Sequence, residues 1–120
     1  EGMNLLNIKQ TKWTNTNHAL NDWNASHENP CAWTGISCTK SNSVTILNLT
    51  DASVSGNLTS AICGLNGLEA LILPGNAFQG PFPDGLFECM SLRLLDFSSN
   101  HFNGRLPIRI NELSESRIFN

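Results

Sequence analysis

Apolar residues return along this chain at a fixed interval. Laid against itself at a shift of 24, the sequence puts Val44, Leu68 and Leu92 in one column and Leu47, Leu71 and Leu95 in a second. Leu49, Leu73 and Phe97 make a third, and Val54, Phe78 and Phe102 a fourth. Glycines keep the same step at Gly56, Gly80 and Gly104, followed by Leu58, Phe82 and Leu106 and then by Ile62, Leu86 and Ile110. Such a period marks a stacked repeat, in which each unit buries its apolar face only against its neighbours. Three units are predicted, 44–67, 68–91 and 92–115, with 116–120 opening a fourth in which Ile118 and Phe119 fall beneath Leu94 and Leu95. A stack that stops inside a strand leaves an open edge, which predicts either a longer array or an end covered by a partner or a second copy.

Within each unit the pattern reads LxxLxLxxN. Leucines alternating over a few residues describe a short strand with one buried face. Asn76 and Asn100 close the motif in the second and third units, and their amides can both donate to and accept from a turning backbone out of reach of water. Ala52 stands in that column in the first unit, so the asparagine ladder is expected to begin one turn late. Further on, a glycine is placed where the chain bends and a proline where no ladder donor is needed. The expected architecture is an α/β solenoid, a right-handed coil with parallel strands on its concave face. Its outward columns are Thr45, Glu69 and Arg93; Ile46, Ala70 and Leu94; Asn48, Ile72 and Asp96; and Thr50, Pro74 and Ser98. Ile46, Ala70, Ile72 and Leu94 make a continuous apolar patch on a surface free to be polar, and such patches mark contact sites.

Residues 1–43 lie outside the period and are expected to cap it. Met3, Leu5, Leu6 and Ile8 suggest a short helix; Leu20, Trp23 and Trp33 supply bulky apolar surface to lay over the first coil. The ordinary reading of all three tryptophans is packing, and Trp13 has no place in the pattern. The 120 residues are one domain at most.

Charge narrows the function. Only 14% of residues are charged and the net charge is −3, so neither nucleic acid nor an anionic membrane surface finds a basic footprint. No apolar run reaches the ~18–20 residues that span a bilayer. Residues 1–4 have no signal-peptide character, which predicts that any leader has been removed. The four cysteines, Cys31, Cys38, Cys63 and Cys89, allow three connectivities, and none sits in a CxxC or a zinc-finger spacing. Their even number, with sequons at Asn24, Asn48 and Asn57, points to a secreted, oxidised and glycosylated chain. The histidines, His18, His27 and His101, assemble no triad with a nucleophile, and Asp51, Asp84, Asp96, Glu69 and Glu88 form no facing carboxylate pair. No catalytic, metal or cofactor site is predicted.

The run from Leu71 through Asn76 and Gly80 to Pro83 resembles the plant-type leucine-rich repeat, LxxLxLxxNxxxGxxP. Leu20, Trp23, Pro30-Cys31, Trp33, Gly35-Ile36 and Cys38 resemble the cap that opens extracellular plant proteins of that class. The resemblance implies a Cys31–Cys38 staple in the cap. Cys63 and Cys89, one repeat plus two residues apart, are proposed as an inter-repeat disulfide, as in similar receptor ectodomains; buried free thiols are the alternative. It also implies ligand perception at the plasma membrane by the ectodomain of a receptor-like kinase or receptor-like protein, with a co-receptor as a further partner. The parent would then add a membrane span and a cytoplasmic serine/threonine kinase. Secreted inhibitors similar to polygalacturonase-inhibiting proteins share the cap and repeat, and a scaffold pairing through its open end is a third class. The expected ligand face is Thr45, Ile46, Asn48, Glu69, Ala70, Ile72, Arg93, Leu94 and Asp96, binding a peptide or protein, with a glycan on Asn48 in competition for it. The alternative is that these first repeats only support a site farther along.

Overall fold

The computed structural model describes residues 2–15, 20–24, 30–83, 85–86, 91–103 and 115–117. Helix α1 (Gly2–Lys12) runs directly into strand β1 (Trp13–Asn15), and β2 follows at Ile36–Cys38. The repeating part supplies β3 (Val44–Asn48), β4 (Val54–Asn57), a 3-10 helix (Ser60–Gly64), β5 (Ala70–Ile72), β6 (Ala77–Pro81), β7 (Leu94–Asp96), β8 (His101–Asn103) and β9 (Glu115–Arg117).

The strands form two sheets, one in the order β2-β3-β5-β7-β9 and the other β1-β4-β6-β8. In the first, β3, β5 and β7 are parallel and pair at the sequence period, Leu47 with Leu71 and Leu71 with Leu95. All three leucines are fully buried, each contributing roughly 1.5–3 kcal/mol of apolar burial. The cap strand β2 closes this sheet antiparallel to β3, so the stack begins with a covered edge. At the other end β9 joins β7 with Leu95 opposite Ser116, a step of 21 residues that brings the strand in three residues earlier than the period predicts. The intervening residues 104–114 lie outside the described residues, as do Ile118 and Phe119.

The second sheet is absent from the sequence reading. Its parallel strands pair at a step of 22, Gly56 with Phe78 and Gly80 with Phe102. The two-residue offset from the period is even, so each strand keeps the same face inward. Cap strand β1 closes this sheet as β2 closes the other, running antiparallel with Trp13 opposite Gly56. That position accounts for Trp13. Gly56 brings no side chain between its neighbours, and the rings of Trp13 and Phe78 meet edge-on at 5.3 Å. Trp13 Nε1 donates to Asn57 O at 3.1 Å, and its ring also lies 6.2 Å from that of Trp23. Trp23 stacks on Trp33 at 5.7 Å and donates its Nε1 to Thr34 O. All three tryptophans are buried, so packing is their role.

The helix of the cap places Leu5, Leu6 and Ile8 in the core, packed towards the 3-10 helix. Lys9 Nζ donates to Leu20 O at 2.7 Å and Trp23 O at 3.0 Å, holding the next cap segment against the helix. The Cys31–Cys38 disulfide staples the loop that follows. Cys63 is also disulfide-bonded and lies against Gly85 and Leu86 of the next unit, while its proposed partner Cys89 lies outside the described residues.

The asparagine ladder has the predicted form. Asn76, the one buried polar residue among those described, accepts from Ala52 N and Val54 N at 3.1 Å and donates to Leu49 O at 2.7 Å and Leu73 O at 3.0 Å. Asn100 repeats the arrangement one unit on, accepting from Phe78 N and donating to Leu73 O, Phe97 O and Ser98 O. The residue before each ladder position turns left-handed, at Asp51, Gly75 and Ser99. At Gly75, with φ +74°, an added Cβ would fall on Asp51 Oδ1, so the carboxylate of one coil occupies the space that glycine leaves in the next.

Candidate functional site

Alternation along β3, β5 and β7 decides which side chains reach the surface. With Val44, Leu47, Leu49 and their counterparts turned into the core, the residues between them face outward. Register then sets Ile46, Ala70 and Leu94 side by side, and beyond the buried leucines sets Asn48, Ile72 and Asp96 side by side.

Five of the nine predicted residues, Ile46, Glu69, Ala70, Arg93 and Leu94, line one depression of about 180 Å³. Ala70 is its small, buried floor; Ile46 and Leu94, half-buried, are its apolar sides. The rim is an ion pair between Arg93 Nη1 and Glu69 Oε1 at 3.6 Å, with the two side chains 57% and 49% exposed. At that exposure the pair contributes under about 1 kcal/mol. The volume falls below the ~300–1,000 Å³ of pockets that enclose a whole small molecule. A space of this size has room for a single side chain.

The other four predicted residues stand apart from the depression. Thr45 Oγ1 donates to Ser37 O, which ties it to the cap strand. Asn48 and Asp96 fold back on their own turns: Asn48 Oδ1 accepts from Thr50 N and Thr50 Oγ1, and Asp96 Oδ1 accepts from Ser98 N and Ser98 Oγ. Ile72 lies half-buried between them. The outward face is therefore divided along the strands into an apolar depression towards their starts and a row of turn-forming polar groups towards their ends. Among the described residues no cluster of His, Cys, Asp and Glu could hold a metal ion, and no helix is long and apolar enough to cross a membrane.

Short parallel strands stacked at the period, asparagines bonded inside each turn and a stapled cap define a class: leucine-rich repeats behind an N-terminal cap. Residues 1–39 match the Leucine rich repeat N-terminal domain and residues 91–113 the Leucine Rich Repeat, so this is a leucine-rich-repeat protein, represented by its cap and first repeats. Its homologues are plant receptor-like kinases. One leucine-rich repeat receptor-like serine/threonine-protein kinase of Arabidopsis thaliana is 41% identical over 92 residues, which is 77% of this chain and 8% of that protein. The chain spans about a tenth of the length of the curated relatives it matches, in their non-catalytic repeat region. Among solved structures, PEPR1–AtPEP1 superposes with a TM-score of 0.85 at 33% identity over all of this chain and 18% of that one. The Arabidopsis receptor kinase HAESA, in complex with the peptide hormone IDA and the co-receptor SERK1, gives a TM-score of 0.85 at 26% identity over 99% of this chain and 20% of that one.

Proposed function

We propose that this chain is the leading end of an extracellular recognition module of a plant receptor. In this reading the coils continue as a right-handed solenoid, and the sheet led by β3, β5 and β7 is its concave face. The face holds part of a peptide or protein ligand, with one apolar side chain seated between Ile46 and Leu94 over Ala70. The observation that carries the reading is the depression itself, an apolar floor with a charged rim on a sheet that could have been polar throughout. The peptide and co-receptor held by HAESA support the same partner classes here. Placement outside the cell rests on the relatives, the disulfides and the sequons.

The test is a selection of phage-displayed random peptides on the full chain, with the selected peptides then measured on two variants. Ile46→Asp with Leu94→Asp is expected to lower their affinity at least tenfold. Gln79→Asp, on the exposed side of the other sheet, is expected to leave it unchanged. Peptides that bind both variants equally would remove the depression from the function.

A further inference from the structure

The sequon Asn48-Leu49-Thr50 crosses the end of β3, on the same face as the depression. Leu49 is buried, so Asn48 and Thr50 point outward together, and both are exposed. Their side chains are already paired: Thr50 Oγ1 donates to Asn48 Oδ1 at 2.6 Å, and Thr50 N donates to the same oxygen at 3.1 Å. Among the described residues no hydrogen bond engages the amide nitrogen Nδ2, and the side chain that carries it is exposed.

Distance along the strands decides what such a substituent would cover. Asn48 stands directly beside Ile72, one strand spacing of about 4.8 Å away. The Ile46, Ala70 and Leu94 column lies two residues back, roughly 7 Å along the strands, and the Glu69–Arg93 rim lies one residue farther still. A bulky group on Asn48 therefore stands beside Ile72, nearer to that edge of the depression than to the charged rim.

We propose that Asn48 is an N-glycosylation site whose glycan fences the Ile72 side of the depression, so that ligand enters from the Glu69–Arg93 side. This regulation of the site rests on the extracellular reading above, because the sugar is added in the secretory pathway. In the transfer, Nδ2 gives up one proton and bonds the anomeric carbon of a lipid-pyrophosphate-linked oligosaccharide. The anomeric C–O bond breaks and the lipid pyrophosphate leaves. The competition expected between an Asn48 glycan and the ligand face is thereby reduced to a shared border.

The experiment secretes the full chain from plant cells and maps glycopeptides by mass spectrometry after enzymatic glycan release in heavy-oxygen water. Conversion of Asn48 to labelled Asp is the expected result. If Asn24 or Asn57 converts and Asn48 does not, this proposal fails while the extracellular reading stands; if none of the three converts, both fail. Coverage is read separately, from the rate at which a polyethylene glycol maleimide labels Ile72→Cys or Glu69→Cys. Each is measured with Asn48 present and in an Asn48→Gln background. Removing the sequon is expected to speed labelling of Ile72→Cys severalfold and to change that of Glu69→Cys less than twofold. Equal rates at Ile72→Cys, or slowing at Glu69→Cys as large as at Ile72→Cys, would overturn the fence.

Discussion

Replacing Asn76 with leucine tests the internal ladder at its most buried point. The substitution keeps the branched, four-heavy-atom shape of the side chain and removes every polar contact. Leu73 O keeps the Asn100 amide at 2.8 Å, and Ala52 N keeps a longer bond to Leu49 O at 3.3 Å. Val54 N loses its acceptor at 3.1 Å, and Leu49 O loses its shortest donor, at 2.7 Å. With about 1–3 kcal/mol for Val54 N left unsatisfied and about 1 kcal/mol for the bond lost at Leu49 O, the loss is about 2–4 kcal/mol. For a domain of this size that lowers the melting temperature by roughly 8–16 °C. Thermal unfolding followed by circular dichroism, with the disulfides intact, measures it. Asn100→Leu is the internal comparison: it is half-buried and accepts from one backbone donor, Phe78 N, so its cost is smaller. A loss under about 1 kcal/mol for Asn76→Leu, or one no larger than for Asn100→Leu, would refute the reasoning.

Three further perturbations address other parts of the fold. Serine at both Cys31 and Cys38 opens a loop with a sequence separation of 7, and urea unfolding is expected to show a loss of about 2–3 kcal/mol. Gly75→Ala combines a left-handed backbone with a Cβ placed on Asp51 Oδ1, which costs about 2–3 kcal/mol. Adding Asp51→Gly should restore part of that, and a double-mutant cycle with no coupling would count against the contact. Arg93→Ala removes one half of an exposed pair and is expected to change stability by less than about 1 kcal/mol, so any effect on ligand binding is read free of unfolding.

Repetition made the first sheet legible. Leu47, Leu71 and Leu95 alternate with outward residues in three copies, so strand, face and register could all be read from the period. The ladder was legible for the same reason, because Asn76 and Asn100 each follow a strand where a turn needs both donors and acceptors. The second sheet was not. Its strands each carry one apolar anchor, Val54, Phe78 or Phe102, among glycines, prolines and small polar groups, and no short alternation announces a strand. What holds them is the stacking of coils, a tertiary effect that overrides local propensity. Trp13 escaped because its partners, Gly56, Asn57 and Phe78, lie more than forty residues away and become neighbours only when β1 closes that sheet. The columns between the buried leucines lie on the outward side of the strands, where their alternation puts them. Their division was hidden, because Asn48 and Asp96 leave the apolar group by bonding to Thr50 and Ser98, and a column alignment does not display turns.

Coils stacked at 24-residue spacing set Ile46, Ala70 and Leu94 in one row. Methyl-labelled protein in solution offers the most direct measurement, through nuclear Overhauser contacts between these three side chains. The stacked coils predict cross-peaks from Ile46 to Ala70 and from Ala70 to Leu94, with none from Ile46 to Leu95 behind the sheet. Absence of the first two, or methyl contacts that follow a hairpin rather than the repeat, would contradict both the stack and the site built on it.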